Sequence, residues 1–325
     1  MISRKTFLAA VAALSASIAV PAFAESYPSR PVTIIVPFPA GGPQDAITRN
    51  LAHRLQAALR QPFIVDNRPG ATGMIGTVAA SRAKADGYTL LFTSNSAHII
   101  APLLRKNPGF DPHRDFDPVQ RTAVYPFCLT ASTKVQASTT QELVTLAKAQ
   151  PGKLFYGSLG EGSGNHLMTE LFKQRTGTNL VHVPYKGTAQ ATTAVMADEV
   201  QVYFDSIGSA KSLIDSGRLR AFAVTSEKRS ALLPDVPTLA EAGVAGQNPT
   251  IWLGIFAPKG TPQPILNTLQ KEIRQVLETD AEIKTRIRDL GAESSSMSPQ
   301  QIAASMKSEQ ESWKALIERL QIQLE

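Results

Sequence analysis

Two glycine-rich loops carry the residue types with the clearest chemical potential. The first loop consists of Phe38, Pro39, Ala40, Gly41 and Gly42. It leads into a helical pattern that begins at Pro43, a residue suited to the first position of a helix. N–H groups in a first helical turn have no acceptor inside the helix and lie at its positive end. The loop therefore predicts a site for an anion, with a carboxylate as the expected ligand.

Asp45 lies within the first turn of that predicted helix. An acid at this position usually reaches back to an N–H group near Gly42, and it would repel an incoming anion. We therefore interpret Asp45 as a structural brace for the loop and assign ligand contact to the loop backbone. For this loop taken alone, a strand-to-helix turn without a ligand is the alternative.

The second loop follows a predicted strand over residues 154–157 and opens another helix. Its candidate ligand-binding residues are Ser158, Gly160, Gly162, Ser163 and His166. Two helix openings in separate α/β units suit the two walls of a cleft, because each wall can then offer N–H donors to one ligand. For His166, a solvated structural role at the start of the helix is the alternative.

Three further polar clusters follow short apolar runs that predict strands. They are Thr93, Ser94, Asn95 and Ser96; Tyr185, Lys186 and Gly187; and Asp205 and Ser206. Such groups at the carboxyl ends of strands can orient a ligand, although a simple turn explains each cluster equally well. Asp205 suits a ligand amine or hydroxyl, whereas a purely anionic ligand avoids it unless this acid is paired elsewhere.

The sequence lacks the common catalytic, cofactor-binding and metal-binding patterns. Ser163 has no glycine two residues away on either side, as a nucleophile elbow requires. Asn165 occupies the position of the third glycine in a dinucleotide fingerprint, and no G-x-x-x-x-G-K-[ST] phosphate loop occurs. The five histidines show no close metal-ligand pairing. We therefore expect no cofactor, no bound metal and no catalysis, with a secreted hydrolase or isomerase as the enzyme alternative.

The amino terminus has the features of a secretory signal peptide. Arg4 and Lys5 precede an apolar run over residues 7–20, and the small residues that follow favour cleavage after Ala24. The apolar run is shorter than the roughly 20 residues that a bilayer requires. We therefore expect a cleaved signal peptide over residues 1–24 and a freely soluble mature chain.

Composition excludes some partners. The chain of 325 residues has a formal net charge of +6, with its Lys and Arg residues scattered among acids. This distribution lacks the basic stripe of a nucleic-acid-binding protein, so no nucleic acid is expected as a partner. The single cysteine, Cys128, cannot form an internal disulfide.

Short apolar runs and amphipathic stretches alternate along the chain. Residues 32–36 form a predicted strand, and residues 43–59 carry apolar side chains at helical spacing. Further predicted strands cover residues 63–65, 88–93, 154–157, 180–183, 200–204 and 219–224. This alternation predicts an α/β fold with mixed sheets that have helices on both faces. Near the carboxyl terminus, one apolar helical face comprises Ile302, Met306, Trp313, Leu316 and Leu320.

Six motifs, in order along the chain, resemble those of one family. They are residues 30–33 (RPVT), 36–42 (VPFPAGG) with Asp45, 67–71 (NRPGA), 86–90 (DGYTL), 183–187 (VPYKG) and 233–238 (LPDVPT). In these motifs the sequence is similar to the Bug-type receptors of tripartite tricarboxylate transporters. The resemblance implies a type II periplasmic-binding-protein fold, in which two lobes enclose a ligand cleft and are joined by two crossings of the chain.

The resemblance predicts two lobes, and chain crossings expected near residues 124–129 and 249–257 give their bounds. The resemblance also implies the partners. We expect lobe 1 over residues 25–126 and 249–325, and lobe 2 over residues 127–248. The implied ligand is a small carboxylate-bearing solute, and the implied partners are the membrane permease subunits of a tripartite transporter. The receptor is expected to be periplasmic and a monomer. A sensor that reports the solute to a signalling partner is the alternative, because both roles need the same closed shape.

Overall fold

The computed structural model describes residues 27–320, except 245, 247–249, 290 and 296. The predicted signal peptide lies outside these residues. Strands and helices alternate along most of the described chain, and the strands form two separate sheets. None of the helices in this part of the chain combines the length and the apolar character needed to span a bilayer.

Six strands form the first sheet. They are β1 (Val32–Val36), β2 (Phe63–Asn67), β3 (Thr89–Ser94), β4 (Phe116–Tyr125), β10 (Ile251–Pro258) and β11 (Glu293–Ser294). Their order is β11-β4-β10-β3-β1-β2. β1 pairs in parallel with β2 and β3, whereas β10 runs antiparallel to β3 and β4. All eight residues of β10 are buried, as expected of a strand covered on both faces of its sheet.

Five strands form the second sheet. They are β5 (Phe127–Ser132), β6 (Leu154–Ser158), β7 (Leu180–Pro184), β8 (Val202–Ser206) and β9 (Leu219–Val224). Their order is β7-β6-β8-β5-β9. β6 pairs in parallel with β7 and β8, and β5 runs antiparallel to β8 and β9. Both sheets are mixed, so the α/β class predicted from the sequence is confirmed.

Helices pack against both sheets. Those joined to the first sheet are α1 (Pro43–Leu59), α2 (Met74–Ser81), α3 (Ala101–Leu103), α8 (Gln263–Thr279), α9 (Ala281–Asp289) and α10 (Pro299–Leu320). Those joined to the second sheet are α4 (Thr140–Ala149), α5 (Gly164–Thr176), α6 (Thr188–Ala197) and α7 (Ile207–Asp215). α1 buries Ile47, Leu51 and Leu55 in the core of the first sheet. Each such burial contributes roughly 1.5–3 kcal/mol and fixes the position of the helix opening.

The apolar face predicted near the carboxyl terminus lies on α10. Ile302, Met306, Trp313 and Leu316 are all buried there in one cluster that includes Trp252 and Phe256 of β10. The side chain of Leu320 lies outside the described part of the structure. α10 thus packs as structure against the first sheet.

The chain passes from one sheet to the other within a very short segment. β4 ends at Tyr125 in the first sheet, and β5 begins at Phe127 in the second. The chain rejoins the first sheet with β10. The lobe bounds expected from the sequence, residues 25–126 with 249–325 and residues 127–248, stay a prediction. Of these bounds, residues 25 and 249 and the carboxyl end lie outside the described chain.

A histidine is buried inside the first lobe, away from the cleft. His98 lies in a π-helical turn, Ser96–Ile100, and its ring stacks on Phe256 at 4.2 Å and meets Phe116 edge-on at 5.0 Å. Neither ring nitrogen has a hydrogen-bond partner among the described residues. Burial, aided by the charge of His113, lowers the pKa of His98 to about 3. The ring is therefore neutral in the folded protein at pH values where it would be charged in the unfolded chain.

His98 should make the fold sensitive to acid. Between the ordinary histidine pKa of about 6.5 and about 3, the unfolded chain binds a proton that the folded protein does not. Stability is therefore lost as the pH falls through this window, by about 1.4 kcal/mol per pH unit. His98→Leu is expected to flatten this dependence when urea unfolding is compared at pH 7 and pH 4.5. An identical loss of stability in both proteins would contradict the assignment.

Candidate functional site

A cleft of about 710 Å³ lies between the two sheets, and both sheets contribute to its walls. Its volume is within the range of sites for small organic molecules. Among the predicted site residues, those that line it are Phe38, Pro39, Ala40, Gly41, Gly42, Ser94, Ser96, Ser163, Gly187, Asp205 and Ser206. The structure therefore brings together both loops and parts of all three further clusters.

The cleft has no cationic side chain on its walls. Its described lining residues include no Lys, Arg or His, and their only carboxylate is Asp205. Any anion in the cleft must therefore be stabilised by backbone N–H groups, hydroxyl groups and helix dipoles.

The first loop connects β1 to α1 and is held in place by Asp45. The Gly41 N–H donates to Asp45 Oδ2 at 2.9 Å, and Arg49 Nε donates to the same oxygen at 2.9 Å. Asn67 Nδ2 donates to Asp45 Oδ1 at 3.0 Å and to the Phe38 carbonyl oxygen at 3.1 Å. Burial alone would raise the pKa of Asp45, but these hydrogen bonds lower it. Asp45 is thus the brace predicted from the sequence.

The brace leaves the donors of the first helical turn available. Gly42 is the N-cap of α1 and has no side chain with which to cap the helix. The N–H groups of Gln44 and Asp45 have no acceptor within the helix. Gly41 itself has φ +80°, a left-handed conformation that favours glycine. The opening of α1 therefore leaves backbone donors beside the cleft, and an anion bound by them stays a prediction.

The second wall has three helix openings, those of α5, α6 and α7. Ser163 is the N-cap of α5, and its Oγ accepts from the His166 N–H at 3.4 Å and donates to the Gly160 carbonyl oxygen at 2.7 Å. Gly164 approaches the first lobe so closely that an added Cβ would lie 3.3 Å from Ser96 Oγ. Gly187 is the N-cap of α6 and offers no capping side chain.

The third opening on this wall, that of α7, is filled by the protein itself. Asp205 Oδ1 accepts from the Ser206 N–H at 2.7 Å and from the Ser209 hydroxyl, and Oδ2 accepts from Thr192 Oγ1 at 2.9 Å. Burial raises the pKa of Asp205, and these hydrogen bonds act in the opposite direction. The hydrogen bonds of Asp205 are therefore made within its own lobe, by neutral donors that fix the position of this acid on the cleft wall without supplying a counter-charge.

Part of the second loop does not reach the cleft. Ser158, Gly160, Gly162 and His166 are not among its lining residues. The Gly160 N–H donates to Ser158 Oγ at 3.0 Å, and the Gly162 N–H donates to His166 Nδ1 at 3.2 Å. Burial, with the charge of His182 as the next cause, lowers the pKa of His166 to about 4, so Nδ1 stays an acceptor. These groups hold the loop together, and their contact with a ligand stays a prediction.

Four other predicted residues also lie off the cleft walls. Thr93 is buried within its strand, and the Asn95 amide turns away to donate to the Thr250 carbonyl oxygen at 3.0 Å. The Tyr185 N–H donates to the Ser158 carbonyl oxygen at 2.8 Å, and the Lys186 N–H donates to Gln190 Oε1 at 3.2 Å.

Sequence reasoning missed several polar groups on the cleft walls. Tyr125 and Tyr203 both line the cleft, and burial raises the pKa of each phenol, so both keep a proton to donate. Gln44 Nε2 approaches the Tyr125 hydroxyl at 3.4 Å, and Asn165 Nδ2 approaches the Tyr203 hydroxyl at 3.2 Å. Asn165 directly follows the predicted loop glycine, so its position in the helix opening was the available signal.

Comparison with known proteins places the chain in a family. A model of the tripartite tricarboxylate transporter family receptor matches residues 47–322. Protein BugT of Bordetella pertussis is 38% identical over 271 residues, which cover 83% of each chain. The solved periplasmic binding protein BugD superposes with a TM-score of 0.79 at 35% identity, covering 91% of this chain and 99% of its own.

Two similar structures contain a ligand. A protein from R. palustris solved with adipate has a TM-score of 0.81 and 35% identity, and the match covers 90% of this chain and 97% of that one. MatC from Rhodopseudomonas palustris, with bound malate, has a TM-score of 0.78 and 28% identity, and the match covers 90% of this chain and 100% of that one. The predicted periplasmic-binding-protein fold is thereby confirmed. The chain belongs to the tripartite tricarboxylate transporter receptor family, as a Bug-type solute-binding receptor and not an enzyme.

Proposed function

We propose that the protein captures a small carboxylate-bearing solute in the cleft and delivers it to the membrane permease subunits of a tripartite transporter. The observation that carries this proposal is the pairing of helix openings on both walls of a cleft whose described lining residues include no cationic side chain. Such a cleft neutralises a carboxylate through backbone donors. The relatives solved with adipate and with malate support the same class of ligand.

Lobe closure is the proposed means of capture. The solute first meets the opening of α1 on one lobe, and the openings of α5 and α6 reach it when the second lobe closes. Closure requires contacts that exist only in the shut state, since a ligand held equally in both states shifts no equilibrium. The short crossing between Tyr125 and Phe127 supports a hinge at this point.

The setting of this function is also a proposal. Cleavage after Ala24 would release a periplasmic monomer with lobes over residues 25–126 with 249–325 and over residues 127–248. The family assignment supports the periplasmic location, and the distribution of strands between the two sheets supports the division into lobes.

A carboxylate panel tests the proposed ligand class. Adipate, malate, glutamate and benzoate are added separately to the mature protein, and thermal and urea unfolding are recorded. A true ligand at a hundred times its dissociation constant stabilises the fold by about 2.7 kcal/mol. The matched control is adipamide, which keeps the shape of adipate without its charges. Equal stabilisation by the acid and the amide would contradict the proposal, as would a panel of small carboxylates that leaves unfolding unchanged.

A further inference from the structure

A second cavity, of about 610 Å³, lies apart from the cleft and is also shared by both lobes. From the first lobe it takes Arg121 of β4, Trp252 of β10 and the α10 residues Ser305 and Trp313. From the second lobe it takes residues of α5, including Arg175. It shares no lining residue with the cleft among the described residues.

The guanidinium of Arg121 is buried in this cavity wall without a direct ion pair. Arg121 is 7% exposed, and the ion pairs within the described chain do not include it. Its Nη2 donates to the neutral Ser305 Oγ at 2.9 Å, and its Nε has no partner among the described residues. The guanidinium also lies 4.8 Å from the Trp252 ring. Burial lowers the pKa of Arg121 although the charge of Glu309 acts to raise it, so the buried cation is only partly compensated and an anion in direct contact would stabilise it.

The nearest acid is already committed to other donors. Glu309 Oε2 accepts from Trp252 Nε1 at 2.6 Å, and Glu309 Oε1 accepts from Trp313 Nε1 at 3.2 Å and from Asn95 Nδ2 at 2.5 Å. The other acid of the lining, Glu227, is exposed at the rim, where solvent screens its charge. Glu309 therefore acts on Arg121 through its charge and not through an ion pair, and the cationic side chains of the described lining are Arg121 and Arg175.

The rest of the lining suits an organic acid with an aromatic body. Trp252 and Trp313 offer ring surfaces, and Leu171 and Leu316 add aliphatic surface. The Ser308 hydroxyl lies on the same side of α10 as Ser305 and can donate to a carboxylate, whereas the Ser305 hydroxyl already donates to the Ile302 carbonyl oxygen at 2.9 Å. We propose that this cavity is a second binding site, which takes a small aromatic carboxylate against Arg121.

This second site is mechanically linked to the cleft by α5. The helix opens at the cleft with Gly164 and Asn165, and its later residues Leu171 and Arg175 line the second cavity. The eleven residue steps from Gly164 to Arg175 span roughly 16 Å at 1.5 Å per residue. Movement of α5 during closure therefore changes both sites, so an acid bound at Arg121 biases the position of the second lobe.

Tryptophan fluorescence gives a direct test, because the chain has two tryptophans and both line this cavity. The mature protein is titrated with 4-nitrobenzoate, and the fluorescence lifetime is recorded. The uncharged 4-nitrobenzamide is the matched control probe. The acid is expected to shorten the lifetime in a saturable way, whereas the amide should quench only in proportion to its concentration. If both probes quench the wild-type protein equally and without saturation, this result alone would overturn the proposal.

Two variants locate the effect. Arg121→Gln should weaken the saturable quenching at least about tenfold, the loss expected for a charge-assisted hydrogen bond. Gly42→Asp, which is designed to block the cleft, should keep the quenching by 4-nitrobenzoate saturable, with its affinity shifted only by the coupling through α5. Saturable quenching of undiminished affinity in a folded Arg121→Gln protein, or the loss of saturable quenching in Gly42→Asp, would contradict the proposed site.

Discussion

Replacing Gly42 with aspartate is expected to abolish solute binding at the cleft and to leave the protein folded. Gly42 has φ −79° and ψ 171°, an extended conformation open to any residue. An added Cβ would lie 3.5 Å from the Pro39 carbonyl oxygen and 3.8 Å from Gln44 Oε1, which is ordinary contact. Aspartate at an N-cap accepts a hydrogen bond from the first helical turn. Its carboxylate therefore takes the donors that a solute needs and repels the solute's charge.

The expected loss of affinity for Gly42→Asp is at least about a hundredfold, because charge-assisted hydrogen bonds contribute roughly 1.5–3 kcal/mol each. Calorimetry measures the affinity, and urea unfolding measures stability, which should stay equal or rise by up to about 1 kcal/mol. Gly42→Ala is the matched control and should keep the affinity within about threefold, since it adds a methyl group without charge. If Gly42→Asp still binds the solute, the solute does not contact the opening of α1.

The same charge placed on the opposite wall should prevent closure. Gly187, the N-cap of α6, has an extended backbone, and no atom lies within 4 Å of an added Cβ. Gly187→Asp therefore puts a carboxylate into open space at the second wall without a clash. We expect the affinity to fall about tenfold or more, since contacts made only in the closed state are lost.

Small-angle scattering separates closure from binding in this variant. The wild-type protein and the control Gly187→Ala should become more compact when solute is added, whereas Gly187→Asp should stay at its unliganded radius. If Gly187→Asp compacts normally and keeps full affinity, the solute does not engage the opening of α6.

Acidic residues lie at helix openings in both walls, and each accepts hydrogen bonds from its own lobe. Asp45 and Asp205 thereby help to build the walls. Asp45 orders the loop before α1, and Asp205 fills the opening of α7. The openings of α1 and α6 have no capping side chain, so their donors remain available to the proposed ligand, whereas Ser163 caps the opening of α5.

Local sequence predicted the first βα unit well. Residues 32–36 and 43–59 form a strand and a helix with the predicted bounds, because both have clear apolar periodicity and a glycine-proline boundary between them. Asp45 could be assigned as a brace because its hydrogen-bond partners are also close by. Its partners lie within one turn of helix or on the adjacent strand β2.

The crossing strands depend on pairings distant in sequence, and the second loop depends on short-range hydrogen bonds that composition does not show. Residues 116–125, 127–132 and 251–258 form inner strands of the two sheets, but no strand was predicted for them, and only chain crossings near residues 124–129 and 249–257 were expected. Their antiparallel partners come from far along the chain, and local periodicity does not encode such pairings. Likewise, the donors of Gly160 and Gly162 are used inside their own loop, a pairing that composition alone does not reveal.

Amide spectra of the protein labelled with ¹⁵N-glycine test the central claim most directly. The spectra are recorded while a carboxylate that stabilises the fold is added to saturation. Direct contact between the solute and the helix openings predicts large shifts for Gly42, Gly164 and Gly187, with Gly217 and Gly260 unchanged on the surface. Unmoved signals from Gly42 and Gly187 in a saturated protein would contradict a carboxylate held by backbone donors on both walls.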